Sequence, residues 1–130
     1  MRKQKFYSAL ELTVLEAQVI ANTLTIEFKI PRVPITYVSY LLDDANAMYN
    51  TGRKDISIRK DRPKLSTLLH EIGHHLQFTG YDHPWGLRGN AHNEVYQKAI
   101  RRVVNRFRKV FDAPDFVYIS INQILEPKRK

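Results

Sequence analysis

The chain has 130 residues, 43% of them hydrophobic and 26% charged, which predicts one globular domain over residues 1–130 with its own core. It contains no cysteine, so disulfides, thiolate metal sites and a cysteine nucleophile are excluded. Basic residues outnumber acidic ones and give a net charge of +8, which indicates either contact with a polyanion or a solvated basic surface.

The first residues are basic, as at the start of a secretory signal, but Glu11 and Glu16 interrupt the stretch that follows. No apolar run is long enough to span a membrane. The lack of cysteine also suits a reducing compartment. We therefore expect a cytoplasmic protein without a membrane partner.

The first half of the chain predicts one helix and several strands. Hydrophobic spacing is helical from Lys5 to Asn22, and strict alternation predicts a strand over residues 23–30. Residues 35–42 are rich in β-branched and aromatic side chains and predict a second strand. Residues 47–59 have the pattern of a β-hairpin with Gly52 in its turn.

The second half predicts two helices and a late strand. Pro63 is expected to open a helix that Gly80 ends, and Asn90 to cap a long second helix that runs to Phe111. Residues 116–121 alternate again and predict a strand or an extended tail. The sum is an α+β fold in which an N-terminal helix and the two later helices pack on an antiparallel sheet.

The first of these later helices carries the motif His70-Glu71-Ile72-Gly73-His74. Residues four apart share a helix face, so His70 and His74 can bind one Zn²⁺ together. Glu71 lies about 100° around the helix, where it would flank the metal as a general base rather than bind it. A chance match is the alternative, and the apolar face opposite the histidines argues against it. That face comprises Leu65, Leu69, Ile72 and Leu76.

A catalytic zinc site usually takes three protein ligands, and the third has two main candidates. If the second helix already includes them, His92 falls on the apolar arc of that helix with Tyr96, whereas Glu94 falls among basic residues. We therefore predict His92 as the third ligand and keep Glu94 as the alternative. A packed or capping histidine is the other interpretation of His92.

These motifs resemble those of zincin metallopeptidases, and most closely the SprT-like family, which includes the Spartan proteases. That family combines a hairpin, an H-E-x-x-H helix, a loop and then His-Gly-x-x-aromatic; the last element corresponds to residues 92–96 here. The resemblance covers residues 47–100 and implies a zincin-like α+β fold, Zn²⁺ as cofactor and peptidase activity. It also implies His70, His74 and His92 as zinc ligands, with Glu71 as the catalytic glutamate.

The chain departs from the family pattern in two ways. Asn93 replaces the usual glycine, and the cysteine-rich zinc ribbon of many members is missing. Compact gluzincins, including ImmA-like proteins, are the near alternative. They use a glutamate as third ligand, which would be Glu94.

The leading hypothesis is a small zinc-dependent endopeptidase that hydrolyses protein or peptide substrates. A sheet-edge strand at residues 47–50 would hold the substrate extended, and the candidates for oxyanion stabilisation are Tyr81, His83 and Arg88.

The alternative function is a nucleic-acid-binding module with a structural or vestigial zinc site. It depends on a basic face of the second helix, which would bind phosphates without sequence preference. A third hypothesis combines both functions. The basic face comprises Lys98, Arg101, Arg102, Arg108 and Lys109.

Overall fold

The computed structural model describes residues 6–84, 91–119 and 124–125, and these adopt the predicted α+β fold. The elements, in chain order, are α1 (Val14–Phe28), β1 (Ile35–Val38), β2 (Ala47–Asn50), β3 (Asp55–Arg59), α2 (Leu65–Thr79), α3 (Glu94–Val110), β4 (Tyr118–Ile119) and β5 (Ile124–Leu125). Among the helices so described, none combines the length and the apolar character needed to cross a membrane.

Helix α1 corrects two predictions, because it begins later than expected and continues through the segment predicted as a strand. It begins where Thr13 and Glu16 form a capping box, with Thr13 Oγ1 accepting from the Glu16 amide at 3.1 Å. It ends at Lys29, whose φ of 56° is left-handed. The strand prediction buried Leu24 and Ile26 on one face, but Leu24 is buried and Ile26 is 74% exposed.

The three-stranded sheet is mixed, so the prediction of an antiparallel sheet is wrong for one of its two pairings. β2 and β3 form the predicted antiparallel hairpin, whereas β1 runs parallel to β3. The strand order is β1-β3-β2, which makes β2 an edge strand. The predicted strand over residues 35–42 stops at Val38, and Leu42–Asp44 form a 3-10 turn instead.

Helix α2 begins at Leu65, slightly after the expected start at Pro63, and its last turn ends at Gly80 as predicted. Its N-cap residue, Lys64, makes no side-chain cap. The N-terminal segment supplies this cap instead, since the amide of Leu65 donates to the carbonyl of Leu10 at 2.8 Å. This contact satisfies one of the N–H groups that every helix leaves without an internal partner.

Helix α3 packs along α2 and buries most of the apolar arc that the sequence predicts, although Val110 at its end is 36% exposed. Its N-cap is Asn93, whose side chain accepts from the Tyr96 amide; the predicted cap, Asn90, lies outside the described residues. Gly73 of α2 allows this close approach, because a Cβ there would lie 3.0 Å from side-chain atoms of both Tyr96 and Ile100.

The segment after α3 returns to the helices. Of the predicted strand over residues 116–121, Tyr118–Ile119 form β4, which pairs with the later β5, and residues 120–123 lie outside the described part of the chain. Phe116 and Tyr118 are each 2% exposed and join the core. This return places Tyr118 beside α2. The basic C-terminal residues 126–130 also lie outside the described part.

Candidate metal centre

Three histidines converge between α2 and the start of α3. Nε2 of His92 lies 3.2 Å from Nε2 of His74 and 3.2 Å from Nε2 of His70. Their three nearest donor atoms all lie within 4.8 Å of one another. The three imidazoles are therefore positioned to bind one metal ion.

The two elements supply these histidines by different means. His70 and His74 share a face of α2 because they are one helical turn apart. His92 precedes the N-cap Asn93, so it lies outside the helix, and the helical geometry used to predict it does not apply. Glu94, the alternative ligand, is exposed in the first turn of α3 and does not belong to the cluster.

Hydrogen bonds fix how His74 presents its nitrogens. Its Nδ1 lies 2.9 Å from Oε1 of Gln77, and Nε2 of Gln77 donates to the carbonyl of Pro84 at 2.8 Å. A carbonyl can only accept, so this contact sets the orientation of the Gln77 amide. Its oxygen must then accept from Nδ1–H of His74. The lone pair of His74 consequently lies on Nε2, which points into the cluster.

Burial favours the neutral form of His70 and His74. The pKa of His70 is lowered to about 3, first by burial and then by the neighbouring His74 and His92. The pKa of His74 is lowered to about 4, mainly by burial and also by His92. A neutral imidazole retains the lone pair that a metal ion needs, so both side chains are in the binding form at neutral pH.

Two tyrosines support the histidines. The ring of Tyr96 lies against all three imidazoles, with its centroid 4.3 Å from that of His74, and its hydroxyl donates to the His70 carbonyl at 3.1 Å. The hydroxyl of Tyr118 lies 3.0 Å from Nδ1 of His70. Both tyrosines restrict the orientation of His70.

Glu71 flanks the cluster. Its Oε2 is 4.0 Å from Nε2 of His70, and the residue is 7% exposed. Burial raises the pKa of the Glu71 carboxyl to about 8, and a hydrogen bond from the backbone N–H of Tyr49 opposes this shift. A cation bound nearby would favour the carboxylate form. Without a cation the Glu71 carboxyl is therefore mostly protonated at neutral pH, and metal binding would restore the carboxylate that a general base requires.

Sequence reasoning missed Gln77 and Tyr118 as partners of the histidines. Gln77 had a usable signal, because it lies three residues after His74 and on the same face of the helix. Tyr118 had none, since it is distant in sequence and reaches His70 only through the return of the chain after α3. The fold alone brings these two residues together.

Of the predicted oxyanion residues, the structure describes Tyr81 and His83. The hydroxyl of Tyr81 accepts from Arg102 at 3.1 Å, and His83 is exposed. His83 does not belong to the group of metal-binding side chains. Arg88 lies outside the described residues.

The basic face of α3 is only partly as predicted. Lys98, Arg101, Arg102 and Lys109 are exposed. The prediction that Arg108 belongs to this surface is wrong, because Arg108 is 8% exposed. Its Nε donates to the carbonyl at position 116 at 2.8 Å, so it anchors the chain that follows α3.

A groove of about 250 Å³ opens beside these basic residues and is lined by Phe28, Arg102, Asn105, Arg106 and Lys109. The guanidinium of Arg102 lies 5.3 Å from the ring centroid of Phe28. Arg106 lies 3.4 Å from a carboxylate oxygen of Glu27, which offsets part of its charge. The groove remains predominantly basic.

The chain matches no family model, no curated protein and no solved structure. What it does is therefore inferred from the residues that it brings together. Three imidazole ligands suit zinc, and they also suit copper, iron and nickel. A site with three histidines and a flanking carboxylate is typical of catalytic rather than closed structural zinc, which prefers four protein ligands.

Proposed function

We propose that this chain is a small zinc-dependent metallopeptidase that hydrolyses peptide bonds. The observation that carries the proposal is the convergence of Nε2 atoms from His70, His74 and His92 beside the carboxyl of Glu71. Three nitrogen donors leave a fourth tetrahedral position for water or substrate.

Zn²⁺, when bound, polarises a carbonyl oxygen and lowers the pKa of water. His70, His74 and His92 hold the ion, and Tyr118 and Gln77 orient the first two of them. Glu71 acts as general base at its carboxylate oxygen, accepts a proton from the attacking water and passes it to the leaving amine. Glu71 is only 7% exposed, so its carboxyl has little contact with bulk solvent.

Edge strand β2 is the proposed binding strand for an extended peptide substrate. Among the described residues, β2 pairs only with β3, so its other edge lacks a partner strand. The backbone N–H of Tyr49 reaches Glu71, which brings this strand next to the proposed base. An extended peptide added along β2 would therefore pass the histidines.

The arrangement supports assignment to the zincin type and, within it, to the SprT-like pattern. An edge strand, a helix with two histidines and a third histidine before the next helix follow in the expected order. Glu94 lies outside the histidine cluster, which favours this pattern over that of the compact gluzincins, because those use a glutamate ligand.

The experiment compares Glu71→Gln with the wild type and with Glu94→Gln as matched control. Glu71→Gln should bind stoichiometric zinc and lose hydrolysis of an unstructured protein such as casein. Glu94→Gln removes an exposed carboxylate and should retain both properties. Wild-type protein that takes up no zinc, or undiminished turnover by Glu71→Gln, would contradict the proposal.

A second function, weak binding of nucleic acid, is favoured by the basic groove along α3. Exposed cations at helical spacing can displace counterions from phosphates, so the affinity should fall steeply as salt rises. The double variant Arg101→Glu and Lys109→Glu should weaken binding to duplex and single-stranded DNA alike. The double variant Lys54→Glu and Lys60→Glu, the same charge change at exposed positions away from α3, should have little effect. No binding at low salt would leave the groove as a solvated surface.

A further inference from the structure

Gln77 is a buried polar residue whose side chain contacts both arms of the metal centre. It is 0% exposed. Its Oε1 accepts from Nδ1 of His74 at 2.9 Å, while its Nε2 lies 2.8 Å from the carbonyl of Pro84 and 3.4 Å from Oδ1 of Asn93. A buried amide with partners on both its ends is strongly constrained in position.

The partners of the Nε2 end belong to the segment that carries His92. Asn93 follows His92 directly and caps α3, and its own Nδ2 donates to the carbonyl of Pro84 at 3.2 Å. Gln77, Pro84 and Asn93 therefore form a closed set of hydrogen bonds. This set ties α2 to the residues that precede α3.

We propose that Gln77 is a positioning residue that couples the two arms of the metal centre. Its oxygen selects the tautomer of His74 that has its lone pair on Nε2. Its amide nitrogen holds the backbone next to His92, so that the third imidazole meets the other two. This inference rests on the proposed metal-binding function, and removal of such a partner typically lowers metal affinity by about 10–100-fold.

Two substitutions separate the two contacts. Gln77→Met keeps the length of the side chain but removes both polar ends. Gln77→Glu keeps an acceptor for His74 and removes the donor to Pro84 and Asn93. The matched control is Gln18→Met, because Gln18 also bridges elements. Its Oε1 accepts from the Ile35 amide at 2.8 Å and its Nε2 donates to the Val33 carbonyl at 3.0 Å, and neither partner belongs to the metal centre.

Zinc affinity is measured for all four proteins by competition with a chromophoric chelator. We expect Gln77→Met to bind zinc about 10–100-fold more weakly than the wild type. Gln77→Glu should recover part of this loss, because a carboxylate still accepts from Nδ1–H of His74. Gln18→Met should lose stability towards urea but retain the zinc affinity.

A second readout uses the metal-free protein. Nitrogen-15 NMR of the histidine side chains reports which ring nitrogen of His74 carries the proton. Wild type and Gln77→Glu should show protonated Nδ1, and Gln77→Met should show a mixture of the two tautomers. If Gln77→Met does not fold, Gln77→Glu, which has nearly the same shape, carries the comparison with Gln18→Met.

The inference is overturned if Gln77→Met and Gln18→Met bind zinc equally well and the tautomer of His74 is unchanged. Failure of the wild type to bind zinc is a different result. It would contradict the proposed function, whereas the tautomer of His74 would still decide whether Gln77 orients that imidazole.

Discussion

Replacement of Gly73 by alanine should destabilise the protein and weaken zinc binding, although alanine is the better helix former. A Cβ at this position would lie 3.0 Å from Cδ1 of Ile100 and 3.0 Å from Cε1 of Tyr96. Both neighbours are buried, with exposures of 1% and 3%. Tyr96 also lies against the three imidazoles, so it cannot yield without moving the metal centre.

Two opposing effects decide the magnitude. An alanine in place of a glycine inside a helix stabilises it by roughly 1 kcal/mol. An extra methyl group in a filled core costs about 1–3 kcal/mol. Because Ile100 and Tyr96 are both fully packed, we expect the second effect to be larger, with a net loss of about 1 kcal/mol in the free energy of unfolding. A shift of Tyr96 would relieve this strain and displace the imidazoles. If zinc binding must reverse the shift, the same free energy of about 1 kcal/mol corresponds to roughly a fivefold loss in zinc affinity.

Urea denaturation of the metal-free protein measures the first quantity, and chelator competition measures the second. Val19→Ala is the control, since Val19 lies on α1, is 59% exposed and gains helix propensity on replacement without entering the contact between α2 and α3. Two results together would refute this expectation. They are a gain of about 1 kcal/mol in the free energy of unfolding of Gly73→Ala, as propensity alone requires, and zinc binding as tight as in the wild type.

Two further predictions concern the third ligand and the buried arginine. His92→Ala should weaken zinc binding far more than Glu94→Ala, because only the histidine belongs to the cluster; the reverse order, measured by the same competition assay, would favour a gluzincin-type site. Arg108→Ala should lower the free energy of unfolding by about 1.5–3 kcal/mol, since it leaves the carbonyl of residue 116 without a charged donor. Arg101→Ala removes an exposed cation from the same helix, so an equal effect of both substitutions on urea denaturation would show that burial of Arg108 contributes nothing.

Local patterns predicted the elements whose hydrogen bonds are local. The spacing from Leu65 to Thr79 predicted helix α2, and turn residues predicted the hairpin of β2 and β3. The pattern failed at residues 23–30, where alternate apolar residues are compatible with a strand. Leu24 also continues the buried face of helix α1. Its packing into the core favours the helix, and Ile26 remains exposed as a result.

The sequence by itself determined that His70 and His74 share a helix face with Glu71 beside them, because helical periodicity depends only on separation along the chain. It also determined the apolar arc by which α3 packs. Only the tertiary structure decided that β1 joins the sheet in parallel, that His92 meets the other two histidines from outside a helix, and that Tyr118 reaches His70. These contacts join residues far apart in sequence, and their geometry depends on how whole elements pack rather than on any repeating local pattern.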